Sequence, residues 1–170
     1  MPAPVLAPVI VPVPSARARW ARDLAIIGGV TSVVAPAFAG MTILQYLVTA
    51  GLTGAATGLA LGALLGGMQA RLLRVPLWLL VLGALVAGGI WGGATGAAAG
   101  ASIARLEYGG IYLAFSAICG AICGAAQLGW LYVPYANASA TGRSTAPLVL
   151  AACVFACGAG VGSIRLLELF

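Results

Sequence analysis

The sequence predicts an all-α integral membrane protein with about five transmembrane helices, closed into a bundle through glycine faces. Three observations predict it. The 170 residues are 62% hydrophobic and only 6% charged, whereas soluble domains carry about 25% charged residues. That is too little charge to clothe a soluble surface. Next, no charge appears from Leu24 to Ala70, a run of 47 residues. About 20 apolar residues cross a bilayer, so the run holds two spans. Finally, Gly54, Gly58, Gly62 and Gly66 recur at every fourth position, and Gly88, Gly92, Gly96 and Gly100 do so again. Spacing of four aligns each set along one helix face. Each such glycine would cost about 1 kcal/mol relative to Ala in a soluble helix. In a bilayer it leaves a strip against which another backbone lies closely. Gly120 and Gly124 continue the theme.

The elements follow in order. An extended N-terminal arm is expected over 1–16, because Pro2, Pro4, Pro8, Pro12 and Pro14 forbid a helix. It is not a signal peptide: no basic stretch precedes it, and the prolines interrupt its apolar run. A single transmembrane domain is expected over 17–170. Its first helix is placed at about 21–49, kinked at Pro36, where Thr31 and Ser32 can serve freed carbonyls. The alternative is a break at Ala35–Gly40 with a partly re-entrant segment. The remaining helices are placed at about 52–73, 77–105, 111–132 and 148–167. Pro76 and Pro134 stop two of them, and Gly109–Gly110 forms a turn.

All eight basic residues are Arg, and they sit at the ends of apolar runs. The net charge of +5 therefore reads as topology rather than as nucleic-acid binding. With the N-terminus in the cytoplasm, Arg17, Arg19, Arg22, Arg71, Arg74 and Arg143 lie inside, and Arg105 and Arg165 outside. The positive-inside rule predicts that orientation, a bacterial inner-membrane location and an external C-terminus. Trp20, Trp78, Trp130, Tyr132 and Tyr135 are expected at the inner interface.

A shift of 58 residues places Gly62-Ala-Leu-Leu-Gly66-Gly-Met-Gln69 on Gly120-Ala-Ile-Cys-Gly124-Ala-Ala-Gln127. Each Gln is followed by a Val-Pro, at Val75-Pro76 and Val133-Pro134. Ser102-Ile-Ala-Arg-Leu-Glu107 likewise resembles Ser163-Ile-Arg-Leu-Leu-Glu168. Helices two and three are then one repeat, and helices four and five a second, parallel one. Helix one is expected to pack outside them. Right-handed crossings near −40° are expected for the closest pairs.

The segment Gly62-x-x-x-Gly66-x-x-Gln69, with Leu72-x-Arg74 and Leu77-Trp78-Leu79-Leu80 after it, resembles repeated segments in uncharacterised multi-pass membrane proteins of cyanobacteria and Chloroflexi. Those carry a similar G-x-x-x-G-x-x-Q motif at a helix end. The second copy departs from it, with Leu128-Gly-Trp-Leu-Tyr132 in place of the Arg-bearing ending. The resemblance spans helices two to five and implies no particular activity.

Few residues offer chemistry. Gln69 and Gln127 read as interhelical hydrogen-bonding groups, or as a polar pair lining a cavity. Glu107 and Glu168, each close behind an Arg, read as interfacial ion pairs, or as a two-carboxylate cation site that is thin for a hard cation. Cys119, Cys123, Cys153 and Cys157 lie within apolar helices and read as small packing residues; their alternative is a four-thiolate metal centre. With no His there is no imidazole base and no Ser–His or Cys–His pair. No intramembrane acid or base is expected for a proton relay.

The sequence thus predicts a non-enzymatic protein without a cofactor of its own, although a bound lipid or pigment is compatible with it. The expected partners are the lipid bilayer and other membrane subunits, with no nucleic acid. The leading expectation is a structural or accessory subunit of a larger respiratory or photosynthetic complex. The alternative is a small transporter or channel component with a polar site around Gln69 and Gln127.

Overall fold

Each apolar run becomes a helix: α1 (Ala16–Phe38), α2 (Leu44–Leu72), α3 (Leu77–Ser102), α4 (Gly109–Ala140) and α5 (Ala146–Leu167). They are seen in a computed structural model that describes residues 15–38, 40–72, 74–103 and 109–167. The proline-rich arm, Arg105, Glu107 and Glu168 lie outside the described residues. Four helices, α1 to α4, are long and apolar enough to cross a membrane. The protein is a multi-pass integral membrane protein.

The composition of core and surface is inverted relative to a soluble bundle. The faces between helices are rich in Gly, Ala and Thr, as at Ala50, Gly54, Gly58 and Gly62 of α2 and Ala84, Gly88, Thr95 and Ala99 of α3. The outer faces carry the large side chains, among them Leu44, Leu52, Leu64, Leu82, Ile90, Ile118, Ile122 and Val154. Lipid is as apolar as leucine, so these side chains gain nothing by burial, and small residues that bring backbones together take the interior.

The helices run alternately up and down in a ring. α1 packs on α2, α2 on α3, α3 on α4, α4 on α5, and α5 returns to α1. One end of the ring, the near end, carries the start of α1 and the α2–α3 and α4–α5 connections. The far end carries the α1–α2 connection and the end of α5.

Two antiparallel pairs approach most closely. A Cβ added to Gly54, Gly58 or Gly62 would run into the backbone carbonyl of Gly28, Leu24 or Trp20 of α1, and one on Gly66 would come within 2.6 Å of Arg17 Cα. In the second pair, Gly88, Gly92 and Gly96 of α3 abut the carbonyls of Gly124, Gly120 and Ser116 of α4, and Gly100 faces Leu113. Gly120 and Gly124 meet the carbonyls of Gly92 and Gly88 in return.

These pairings correct the expected place of helix one. It was expected outside the bundle, yet Trp20, Leu24 and Ile27 of α1 are all 0% exposed. The glycines of α2 need a facing backbone, and α1 supplies it.

Helix ends also differ from expectation. The first helix does not run on to residue 49. Gly40 takes φ +89°, and the Met41 N–H donates to Pro36 O (3.0 Å) and the Gly40 N–H to Ala37 O (3.1 Å). This Schellman pair ends a helix at a left-handed glycine, so α2 starts at Leu44 rather than at 52. α4 does not stop at Pro134 but passes through it to Ala140. The segment beyond the proline is held from outside: Gln69 Nε2 donates to Ala136 O (3.0 Å) and Arg19 Nη2 to Ser139 O (3.0 Å). Neighbouring helices thus offset the hydrogen bond that proline forfeits. α4 ends at Ala140, eight residues later than expected, and is followed by Gly142 (φ +69°), with the Arg143 N–H on Ala138 O.

Candidate functional site: a central slot above a closed plug

The two ends of the ring are filled differently. At the near end, Trp20 sits between Tyr135 (ring centroids 4.1 Å apart) and Tyr132 (5.5 Å). Leu24, Ile27, Leu128 and Leu131 complete a cluster with no exposure to solvent. Trp20, Tyr132 and Tyr135 were expected at a membrane interface. Their burial follows from α1 lying inside the bundle.

Polar side chains tie this plug together. Trp20 Nε1 donates to Gln69 Oε1 (3.0 Å), and Ser139 Oγ reaches the same oxygen at 3.4 Å. Asp23 is 2% exposed. Its Oδ2 accepts from Tyr135 Oη (2.5 Å) and Thr145 Oγ1 (2.7 Å), and its Oδ1 from Arg22 Nε (2.7 Å). A buried carboxylate is costly in a bilayer unless charge-assisted donors surround it, and here three do. Asp23 lies within the first helix, as the expected bounds 21–49 already had it, and is buried there. The signal available was an acid one residue inside a membrane-inserted segment, which marks a functional or cross-linking group by default.

Towards the far end the ring is not filled. A cavity of about 410 Å³ lies among all five helices. Its wall is built from Gly28, Thr31 and Ser32 of α1, Tyr46 and Ala50 of α2, Trp91 to Ala99 of α3, Tyr112 to Gln127 of α4, and Ala156 of α5. The glycines that bring α3 and α4 together, Gly92, Gly96, Gly120 and Gly124, also face it. This half also carries Tyr46, Trp91 and Phe115, but Gly, Ala, Ser and Thr stand between them and the space stays open.

Most polar atoms along the wall are already engaged. Thr31 Oγ1 turns back to Ile27 O (2.7 Å) and Thr95 Oγ1 to Trp91 O (2.9 Å). Tyr46 Oη donates to Ser116 Oγ (3.0 Å). Gln127, 2% exposed, gives its Nε2 to Ala152 O at 3.5 Å. Its carbonyl oxygen has no hydrogen-bond partner among the described residues.

The sequence-predicted residues separate accordingly. Gln127 lines the cavity, while Gln69 belongs to the plug. The repeat-related glutamines do not form one polar pair. Cys119 and Cys123 line the cavity, whereas Cys153 packs against the near-end cluster. Among the described residues no group of three or more Cys, Asp or Glu side chains comes together as a metal site would need. No family model, no curated protein and no solved structure matches this chain.

Proposed function

We propose that the protein is a small membrane transporter or channel component, with the central cavity as its solute site and the near-end plug as its closed gate. One observation carries this reading: a 410 Å³ space among the five helices, bounded at the near end by the cluster of Trp20, Leu128 and Leu131. Its size falls within the range of ligand pockets, about 300–1,000 Å³. A bundle meant only to pack would fill its centre, since voids forfeit dispersion contacts.

The remaining features extend the reading. Six arginines gather at the near end and support its placement in the cytoplasm of a bacterial cell. The cavity then faces outward. The hairpins α1–α2 and α3–α4, each closed by a glycine zipper, are the better candidates for a duplicated unit. Gly62 and Gly120, 58 residues apart, both stand on the second helix of a hairpin and face the first. On this reading α5, not α1, is the added helix. The accessory-subunit expectation has less support. It relied on glycine faces as docking strips, and all ten of those glycines meet helices of the same chain.

Thiol accessibility tests the proposal. A variant retaining only Cys119 is expected to react in proteoliposomes with a water-soluble maleimide, and one retaining only Cys153 to resist it. Equal resistance of both would end the transporter reading.

A further inference from the structure

We infer that the cavity takes an uncharged amphiphile, with an apolar chain along the slot and a hydrogen-bond donor, such as a hydroxyl, on Gln127. The inference rests on the solute-site reading above and names the class of solute.

Charge is the first filter. Among the described residues, no Asp, Glu, Lys or Arg lines the cavity. The buried carboxylate of Asp23 belongs to the plug and already has three donors. An ionised ligand would therefore lie unpaired in a low-dielectric space, which is strongly unfavourable.

Shape is the second. Along α4 the lining runs from Tyr112 to Gln127, which at 1.5 Å rise per residue is about 22 Å. The space is thus long rather than round, a shape that suits an extended hydrocarbon chain. Glycine backbones give the slot a smooth wall, and Trp91 and Phe115 add apolar ring surface.

Hydrogen bonding is the third. Thr31, Thr95 and Tyr46 are occupied by the protein itself. The hydroxyls of Ser32 and Tyr112 also stand at the wall, and at the plug end of the lining lies the Gln127 carbonyl oxygen, on a side chain 2% exposed and without a partner among the described residues. An unmet acceptor in a bilayer interior is costly. The ligand that fits supplies one donor there and apolar surface elsewhere.

The test uses the Cys119-only protein in lipid nanodiscs, with hexadecanol, hexadecanoate and glycerol as probes. Hexadecanol is expected to slow maleimide labelling of Cys119 at least fivefold, with the other two without effect. Gln127→Leu should keep the labelling rate and lose most of the protection. Labelling that no probe alters, or that glycerol alone alters, overturns the amphiphile and leaves the solute site standing. Protection by hexadecanoate equal to that by hexadecanol overturns the requirement for an uncharged head. If Cys119 does not label at all, the solute-site reading fails, and a hexadecanol analogue with a mid-chain diazirine decides the ligand separately. Cross-links on α3 and α4 lining residues that Gln127→Leu abolishes would sustain it, and their absence would end it.

Discussion

The near and far halves of this bundle use the same five helices and the same close approach of backbones, yet one is solid and the other hollow. In both, glycines of α2 and α3 press against carbonyls of α1 and α4. The difference lies in what projects towards the ring centre. Near the plug it is Trp20, Leu24, Leu128, Leu131 and Tyr135; near the slot it is mostly small residues, Gly28, Ser32, Thr95, Gly96 and Ser116, set between Tyr46, Trp91 and Phe115. Bringing helices together and filling the space they enclose are therefore separate tasks for the sequence. Glycines perform the first, and a handful of large residues on α1 and α4 perform the second.

Removing the feature common to both halves should have the largest effect. Gly92→Leu drives a side chain into the Gly120 carbonyl, where even a Cβ has no room. It is expected to abolish recovery of monodisperse protein in mild detergent. Gly67→Ala, at a site with nothing within 4 Å, should cost nothing and gain up to about 1 kcal/mol from helix propensity. Similar losses at both positions would show that the close approach is not what holds the pairs.

A smaller change would erase the difference between the halves. Leu128→Ala empties a fully buried position next to Gln127. Large-to-small substitutions of this kind cost about 2–5 kcal/mol, to be read from reversible unfolding in mixed micelles. The same variant should extend the slot into the plug, so proteoliposomes carrying it should leak solute that the unaltered protein retains. Destabilisation without leakage would mean that the plug is more than Leu128 and its neighbours.

The mildest change tests the polar ties of the plug. Tyr135→Phe keeps the ring against Trp20 and removes one donor from Asp23. A hydrogen bond to a charged group contributes about 1.5–3 kcal/mol, and a loss of about 2 kcal/mol is expected by the same unfolding measurement. The slot should be unaffected, with Cys119 labelling at its former rate. An altered rate would couple plug and slot.

Much of this architecture is legible in the sequence because it depends on period and composition. The number of helices follows from apolar run lengths, and the packing faces from glycines four apart. What was not legible depends on partners distant in sequence. Pro134 is an ordinary helix stop until Gln69 and Arg19 reach across to hold the turns beyond it. Asp23 is an ordinary boundary acid until Tyr135 and Thr145 arrive beside it. The 58-residue repeat was visible, but whether Gly62 and Gly120 pair with the preceding or the following helix is a tertiary fact. The slot was least legible, since a cavity is made of what is absent between helices.

The ties of Asp23 also bear on how the chain is made. Its donors Tyr135 and Thr145 lie 112 and 122 residues downstream. At about 5–20 residues per second of synthesis, the carboxylate waits roughly 6–24 s before either exists. In that interval Arg22, next to it in the chain, is the donor at hand. The first helix enters the membrane with its acid provisionally matched, and the fourth and fifth complete the match. Closure of the near end is thereby a late event, timed by the emergence of the last third of the chain.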